Sequence, residues 1–187
     1  MMSKKVLVPI ANGIEEIETA CITDVLTRAE ADVTVASVEK ALQVTASKGL
    51  RLLADRLIAD CVSETYDLVA LPGGMPGAEH LRDSKALETI LRCQHQKGRL
   101  YAAICASPAI VLQHHGLLKG YQATCHPEFA HLLNDADSRN NRIVADGNCI
   151  TSQGPGTALE FALKLLAMLY DEDMSQKVAG PMLVVTF

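Results

Sequence analysis

The chain contains no tryptophan, and phenylalanine and tyrosine together make up 4% of its 187 residues. Its core must therefore be built mainly from aliphatic side chains and alanine. No uninterrupted apolar run reaches the roughly 20 residues a membrane-spanning helix requires. The N-terminus passes from Met1 through Lys4 and Lys5 straight into a strand-like stretch, without the apolar region and cleavage site of a secretory signal. The expected location is cytoplasmic. The formal charge is -5 and Lys and Arg are not clustered, which argues against a dedicated nucleic-acid surface. Cys21, Cys61, Cys93, Cys105, Cys125 and Cys149 are dispersed with no C-x-x-C unit, which argues against zinc or an iron–sulfur cluster. There is no internal repeat, low-complexity tract or Pro/Gly/Ser linker, so residues 1–187 are expected to form one domain.

What is present is an alternation of strand-like and helix-like segments. Lys5 to Ala11, Asp32 to Val38, Tyr66 to Leu71 and Arg99 to Ile104 are short, apolar and rich in β-branched residues or alanine, as buried parallel strands are. Ile14 to Ala29 has helical periodicity, and Ser84 caps a helix running to about Gln96. Leu42 to Ala46 and Leu50 to Ala54 flank a Ser47-Lys48-Gly49 turn, and Arg142 to Ala145 pairs with Cys149 to Ser152 around Asp146-Gly147-Asn148. A helix over Pro108 to His115, a short strand over Gln122 to Cys125, and helices over Pro155 to Tyr170 and Glu172 to Ala179 complete the pattern. The expected architecture is α/β: a flavodoxin-like three-layer α/β/α sandwich with a mostly parallel sheet.

In such sheets ligands bind beyond the carboxyl ends of the strands. Ala103-Ile104-Cys105-Ala106-Ser107 has the form small-x-nucleophile-x-small at a strand-to-helix turn, the reasoning behind a nucleophile elbow, here with cysteine. Ser107 is placed to cap the following helix and Pro108 to occupy its first position. Cys105 would then lie at a helix N-terminus, where backbone donors and the dipole favour thiolate. Gly73 and Gly74 follow another strand, and with the Ala106 N–H they would form an oxyanion hole. Glu15, Glu16 and Glu18 open a helix, and one of them can point into the cleft with a raised pKa. The residues alone leave open which one. His126 is a further candidate to orient or deprotonate the nucleophile, or it is structural. The turn from Ser152 to Thr157 either lines the pocket or is simply a turn.

AAICASP at Ala102 to Pro108, LPGG at Leu71 to Gly74, EEIET at Glu15 to Thr19 and TSQGPGT at Thr151 to Thr157 resemble the ThiJ/PfpI superfamily. Within it, the chain resembles the subgroup of the parkinsonism-associated protein (DJ-one) and the bacterial YajL-like proteins, from Lys4 to about Leu183. The resemblance implies Cys105 as nucleophile, Glu18 as the protonated acid beside it, Gly74 and Ala106 as oxyanion donors, and His126 as a pocket residue. It also implies a homodimer that needs no cofactor. The implied activities are those of a glutathione-independent glyoxalase on small 2-oxoaldehydes, or of a deglycase on glycated protein. A redox-sensing chaperone that uses oxidation of Cys105 is the alternative. Two departures stand out. Lys48 lies where arginine is expected, and lysine lacks the bidentate guanidinium fork. Ala106 follows the cysteine where the peptidase-like branch has histidine, which counts against a cysteine peptidase or amidase.

Overall fold

Successive residues of a strand face opposite sides of the sheet, and here both sets are apolar, so the strands have to be covered twice. The computed structural model, which describes residues 3–134 and 140–184, achieves this with one seven-stranded sheet between two helical layers. In chain order the elements are β1 (Lys5–Ile10), α1 (Glu16–Arg28), β2 (Asp32–Ser37), β3 (Gln43–Thr45), β4 (Arg51–Leu53), β5 (Arg56–Leu57) and β6 (Leu68–Leu71). Then come α2 (Gly77–Asp83), α3 (Lys85–Gln96), β7 (Leu100–Ile104), β8 (Ile143–Asp146), β9 (Cys149–Ser152), α4 (Ala158–Leu169) and α5 (Glu172–Ala179). The sheet order is β5-β2-β1-β6-β7-β9-β8. Every pairing is parallel except that of β8 with β9. This is the flavodoxin-like sandwich expected from the sequence. The β3-β4 hairpin forms a separate two-stranded sheet.

On one face Leu7, Val69, Leu71 and Tyr101 pack with Leu81 of α2 and with Leu87, Ile90 and Leu91 of α3. Their sequence neighbours Val6, Val8, Leu68 and Ala102 turn the other way, onto Ile22, Val25 and Leu26 of α1 and Phe161 and Leu165 of α4. The strand order reverses between β1 and β6, because β1 leads to β2 on one side while β6 lies on the other. Loops leaving the two strands there diverge and open a crevice. Among the described residues, no helix is long and apolar enough to cross a membrane.

Three sequence expectations need correction. Gln122 to Cys125 does not join the sheet as a strand. The Thr124 N–H donates to Thr151 Oγ1 (2.9 Å) and the Gln122 N–H to Asp146 Oδ2 (2.9 Å), so side chains take the donors a backbone ladder would use. The helix expected from Pro108 is a wide π-type turn over Pro108–Gln113. The helix expected from Pro155 opens with a 3₁₀ turn, Pro155–Thr157, before α4 begins.

Candidate active site

Four strand ends meet at the crevice: β1 leads to α1, β6 to Pro72-Gly73-Gly74, β7 to Cys105, and β9 to Gln153-Gly154. Cys105 has φ 66°, in the left-handed region that residues with a Cβ avoid. The end of β9 and the loop at His126 hold it there. Its N–H donates to Ser152 O (3.0 Å), and its carbonyl accepts the His126 N–H (2.8 Å). Gly73 lies directly against this turn: a Cβ on it would come 2.6 Å from Cys105 Cβ and 2.8 Å from Ile104 O. Gly74, with φ 91°, is equally pressed against Gly13 O and Glu15 N, each 2.6 Å from where its Cβ would be. Gly73→Ala is therefore expected to destabilise the fold by about 1–3 kcal/mol through overpacking against backbone. Thermal unfolding would read this as a Tm lower by several degrees, and an unchanged Tm would show that the contact relaxes freely.

The sulfur is almost enclosed, Cys105 being 9% exposed. The backbone N–H groups of Gly74 and Ala106 face it and favour negative charge there. Glu18, in the first turns of α1, is fully buried. Its Oε2 accepts the Gly73 N–H at 2.7 Å. Its Oε1 is buried without a hydrogen-bond partner, and the carboxyl interacts with the Cys105 thiol.

Burial pushes the Glu18 carboxyl up to about 7, against the opposing pull of the Gly73 N–H and the thiol. Burial also pushes the Cys105 thiol up to about 12, with the negative charge of Glu18 adding to it and the Gly74 and Ala106 N–H groups opposing. The expectation of a thiol lowered by a helix terminus is thus corrected. Desolvation and a neighbouring carboxylate outweigh the donors. The two acids compete for protons in a space that tolerates little charge.

Of the three glutamates, the fold brings only Glu18 to the sulfur. Glu15 and Glu16 instead accept the Ser47 hydroxyl (2.9 and 3.0 Å), and Glu16 also accepts the Lys48 N–H (2.9 Å). These bonds fasten the β3-β4 hairpin to the start of α1. His126 flanks the same space as the sulfur: a Cβ on Gly154 would lie 3.4 Å from its Cδ2 and 4.0 Å from Cys105 Sγ. Its Nδ1 accepts the Glu128 N–H (3.3 Å), capping the 3₁₀ turn Pro127–Leu132, and is not directed at the thiol. Gly154 thus shows that the Ser152 to Thr157 turn does line the pocket. Ser107 does not cap the following turn. Its buried hydroxyl donates to Pro72 O at 2.5 Å. Sequence reasoning also missed a brace in which Glu39 Oε1 accepts the Asn12 N–H (3.0 Å) and lies 2.6 Å from His80 Nδ1. Nothing in periodicity or motif spacing signals such a contact across distant loops. Of the other thiols, Cys61, Cys125 and Cys149 are buried, Cys21 is half-buried, and Cys93 is exposed on α3.

Residues 4–168 match the model of the DJ-1/PfpI family. Protein DJ-1 homolog B of Arabidopsis thaliana is 44% identical over 180 residues, 96% of this chain but 41% of that protein, so the chain spans less than half its length. The structure of oxidized Toxoplasma gondii DJ-1 superposes with a TM-score of 0.96 at 48% identity, covering 98% of this chain and 100% of that one. A Caenorhabditis elegans protein named glutathione-independent glyoxalase DJR-1.2 is 32% identical over 90% of this chain and 89% of its own. A family match over most of the sequence and a superposition over nearly all of it agree with the Cys105 turn, the Gly73-Gly74 segment and buried Glu18: the chain belongs to the DJ-1/PfpI family.

Proposed function

We propose that the protein is a cysteine enzyme acting on small 2-oxoaldehydes, a glutathione-independent glyoxalase, with early glycation adducts on proteins as related substrates. The observation that carries this reading is the convergence of one sulfur, two backbone N–H groups and one buried carboxyl whose pKa lies near 7. Cys105 serves as nucleophile in a nucleophile-elbow turn, Glu18 as proton shuttle, Gly74 and Ala106 as oxyanion donors, Gly73 as the spacer that lets them approach, and His126 as a wall of the pocket. The C. elegans relative named as a glyoxalase supports the reaction class.

The chemistry follows from these positions. Cys105 gives its proton to Glu18 as the sulfur adds to the aldehyde carbon, and the new oxyanion is held by the Gly74 and Ala106 N–H groups. Glu18 returns that proton to the oxyanion, giving a neutral hemithioacetal. As a carboxylate it then carries the proton of the hemithioacetal carbon to the adjacent carbonyl carbon while the hemithioacetal hydroxyl proton passes to the second oxygen, which leaves a thioester beside a new hydroxyl. Water hydrolyses the thioester to a 2-hydroxy acid and returns the thiol. An acid with a pKa near 7 suits a group that must both give and take a proton at neutral pH. The test is formation of lactate from methylglyoxal by purified protein without glutathione. Absence of lactate disposes of the reading.

A second reading uses the same sulfur. Two equivalents of peroxide would convert Cys105 to a sulfinate, whose oxygens the two N–H groups and protonated Glu18 would hold, making the protein a redox-sensing chaperone. The oxidized state named for the T. gondii relative favours keeping it.

The protein is also proposed to act as a homodimer. Ile17 on α1 and Leu50 and Leu53 of the hairpin are each more than half exposed. The Ser47 N–H donates to Ile14 O (2.8 Å), holding hairpin and helix together as one apolar surface. A second copy of the chain is the occupant that fits. Leu53→Asp is expected to convert the dimer to monomer in sedimentation, and an unchanged mass would place the interface elsewhere.

A further inference from the structure

The two N–H groups that face the sulfur come from different segments: Gly74 from the loop after β6, Ala106 from the turn after β7. Register between β6 and β7 is fixed by pairing as far as Leu71 and Ala103. The next residue on the β6 side is Pro72, which has no N–H and cannot extend the ladder. Its carbonyl is an acceptor in a buried residue and requires a donor. Ser107, fully buried, supplies it: its Oγ lies 2.5 Å from Pro72 O. The loop's other backbone hydrogen bonds run elsewhere: the Glu15 N–H donates to Gly73 O and the Gly73 N–H to Glu18 at the start of α1, and the Ala78 N–H of α2 donates to Gly74 O.

The Ser107–Pro72 bond therefore starts one residue after Ala106 and ends two residues before Gly74. We propose that Ser107 is a positioning residue: its hydroxyl satisfies the Pro72 carbonyl just past the end of the β6–β7 ladder, ties the two segments together there, and sets the separation of the Gly74 and Ala106 N–H groups around the sulfur. The proposal rests on the reading of Cys105 as the reactive atom. A serine that capped a helix would act on local stability alone. A serine that spans the two donor segments acts on how well they hold negative charge on sulfur and on an oxyanion.

The experiment follows the sulfur as well as turnover. The rate at which iodoacetamide modifies Cys105, read by peptide mass, is measured against pH for the parent chain, Ser107→Ala and Ser107→Thr, with kcat and KM for methylglyoxal alongside. Ser107→Ala is expected to move the alkylation profile to higher pH. It is also expected to lower kcat roughly tenfold, less than the 10²–10³ of an outright lost donor, with KM within about twofold. Ser107→Thr keeps the hydroxyl and is expected to return toward the parent on both. If Ser107→Ala does not fold, Ser107→Gly takes its place as the hydroxyl-free variant and is held to the same outcome. An unchanged alkylation profile without the hydroxyl overturns the proposal, as does equal impairment with and without it. If the parent chain makes no lactate, the aldehyde reading fails while the alkylation profiles still decide the role of Ser107.

Discussion

At pH 8, Glu18→Gln is expected to be about 3 kcal/mol more stable than the parent chain and to turn over no 2-oxoaldehyde at any pH. Burial raises the Glu18 carboxyl from 4.5 to about 7 in the folded state. The native protein then holds a proton that the unfolded chain releases, so stability falls as pH rises between those values and is level above them. At about 1.4 kcal/mol per pH unit the loss amounts to about 3 kcal/mol. Glutamine keeps an oxygen for the Gly73 N–H and carries no charge to desolvate. Urea unfolding at pH 4, 6 and 8 checks it: the two proteins should agree at pH 4 and separate as pH rises. Parallel curves would mean that Glu18 is not titrating across this range. The same substitution removes the proton shuttle, so stability and activity are expected to move in opposite directions.

Cys105→Ser is expected to lower lactate formation by roughly 10³ or more, to the buffer background, because a serine hydroxyl in a site that already opposes a thiolate cannot serve as nucleophile. Stability should change little. Serine is close in size, and the left-handed backbone at this position is held by Ser152 O and the His126 N–H, which the substitution leaves in place. After mild peroxide, intact mass should show two added oxygens on the parent and none at this position in the variant. Turnover that survives the substitution would remove Cys105 from the mechanism.

The central strands are legible because parallel strands buried on both faces are short continuous apolar runs, and KVLVPI and LYAAI are such runs. The placement of Cys105, Gly73 and Gly74 followed from those strands, since it depends only on where each one ends. The strand β5 is two residues long and α2 seven, too short to display a period in the sequence. The Gln122 to Cys125 segment looked like a strand in composition. Whether it joined the sheet depended on Thr151 and Asp146, side chains more than 20 residues away. Cys105 shows the same limit in its chemistry. A local pattern reveals a helix start, but the desolvation and the facing carboxylate that dominate its acidity come from α1 and from closure of the core.

The unequal exposure of the six thiols governs how the protein will answer to labelling. A bulky chromogenic reagent meets Cys93 on the open side of α3 long before it reaches a sulfur lodged between four strand ends. A stoichiometry of one label per chain would therefore be a surface titre mistaken for an active-site titre, and an undiminished activity after labelling would be misread as evidence against a thiol mechanism. Small, neutral electrophiles and a Cys93→Ser background turn the same measurement into a count of competent sites.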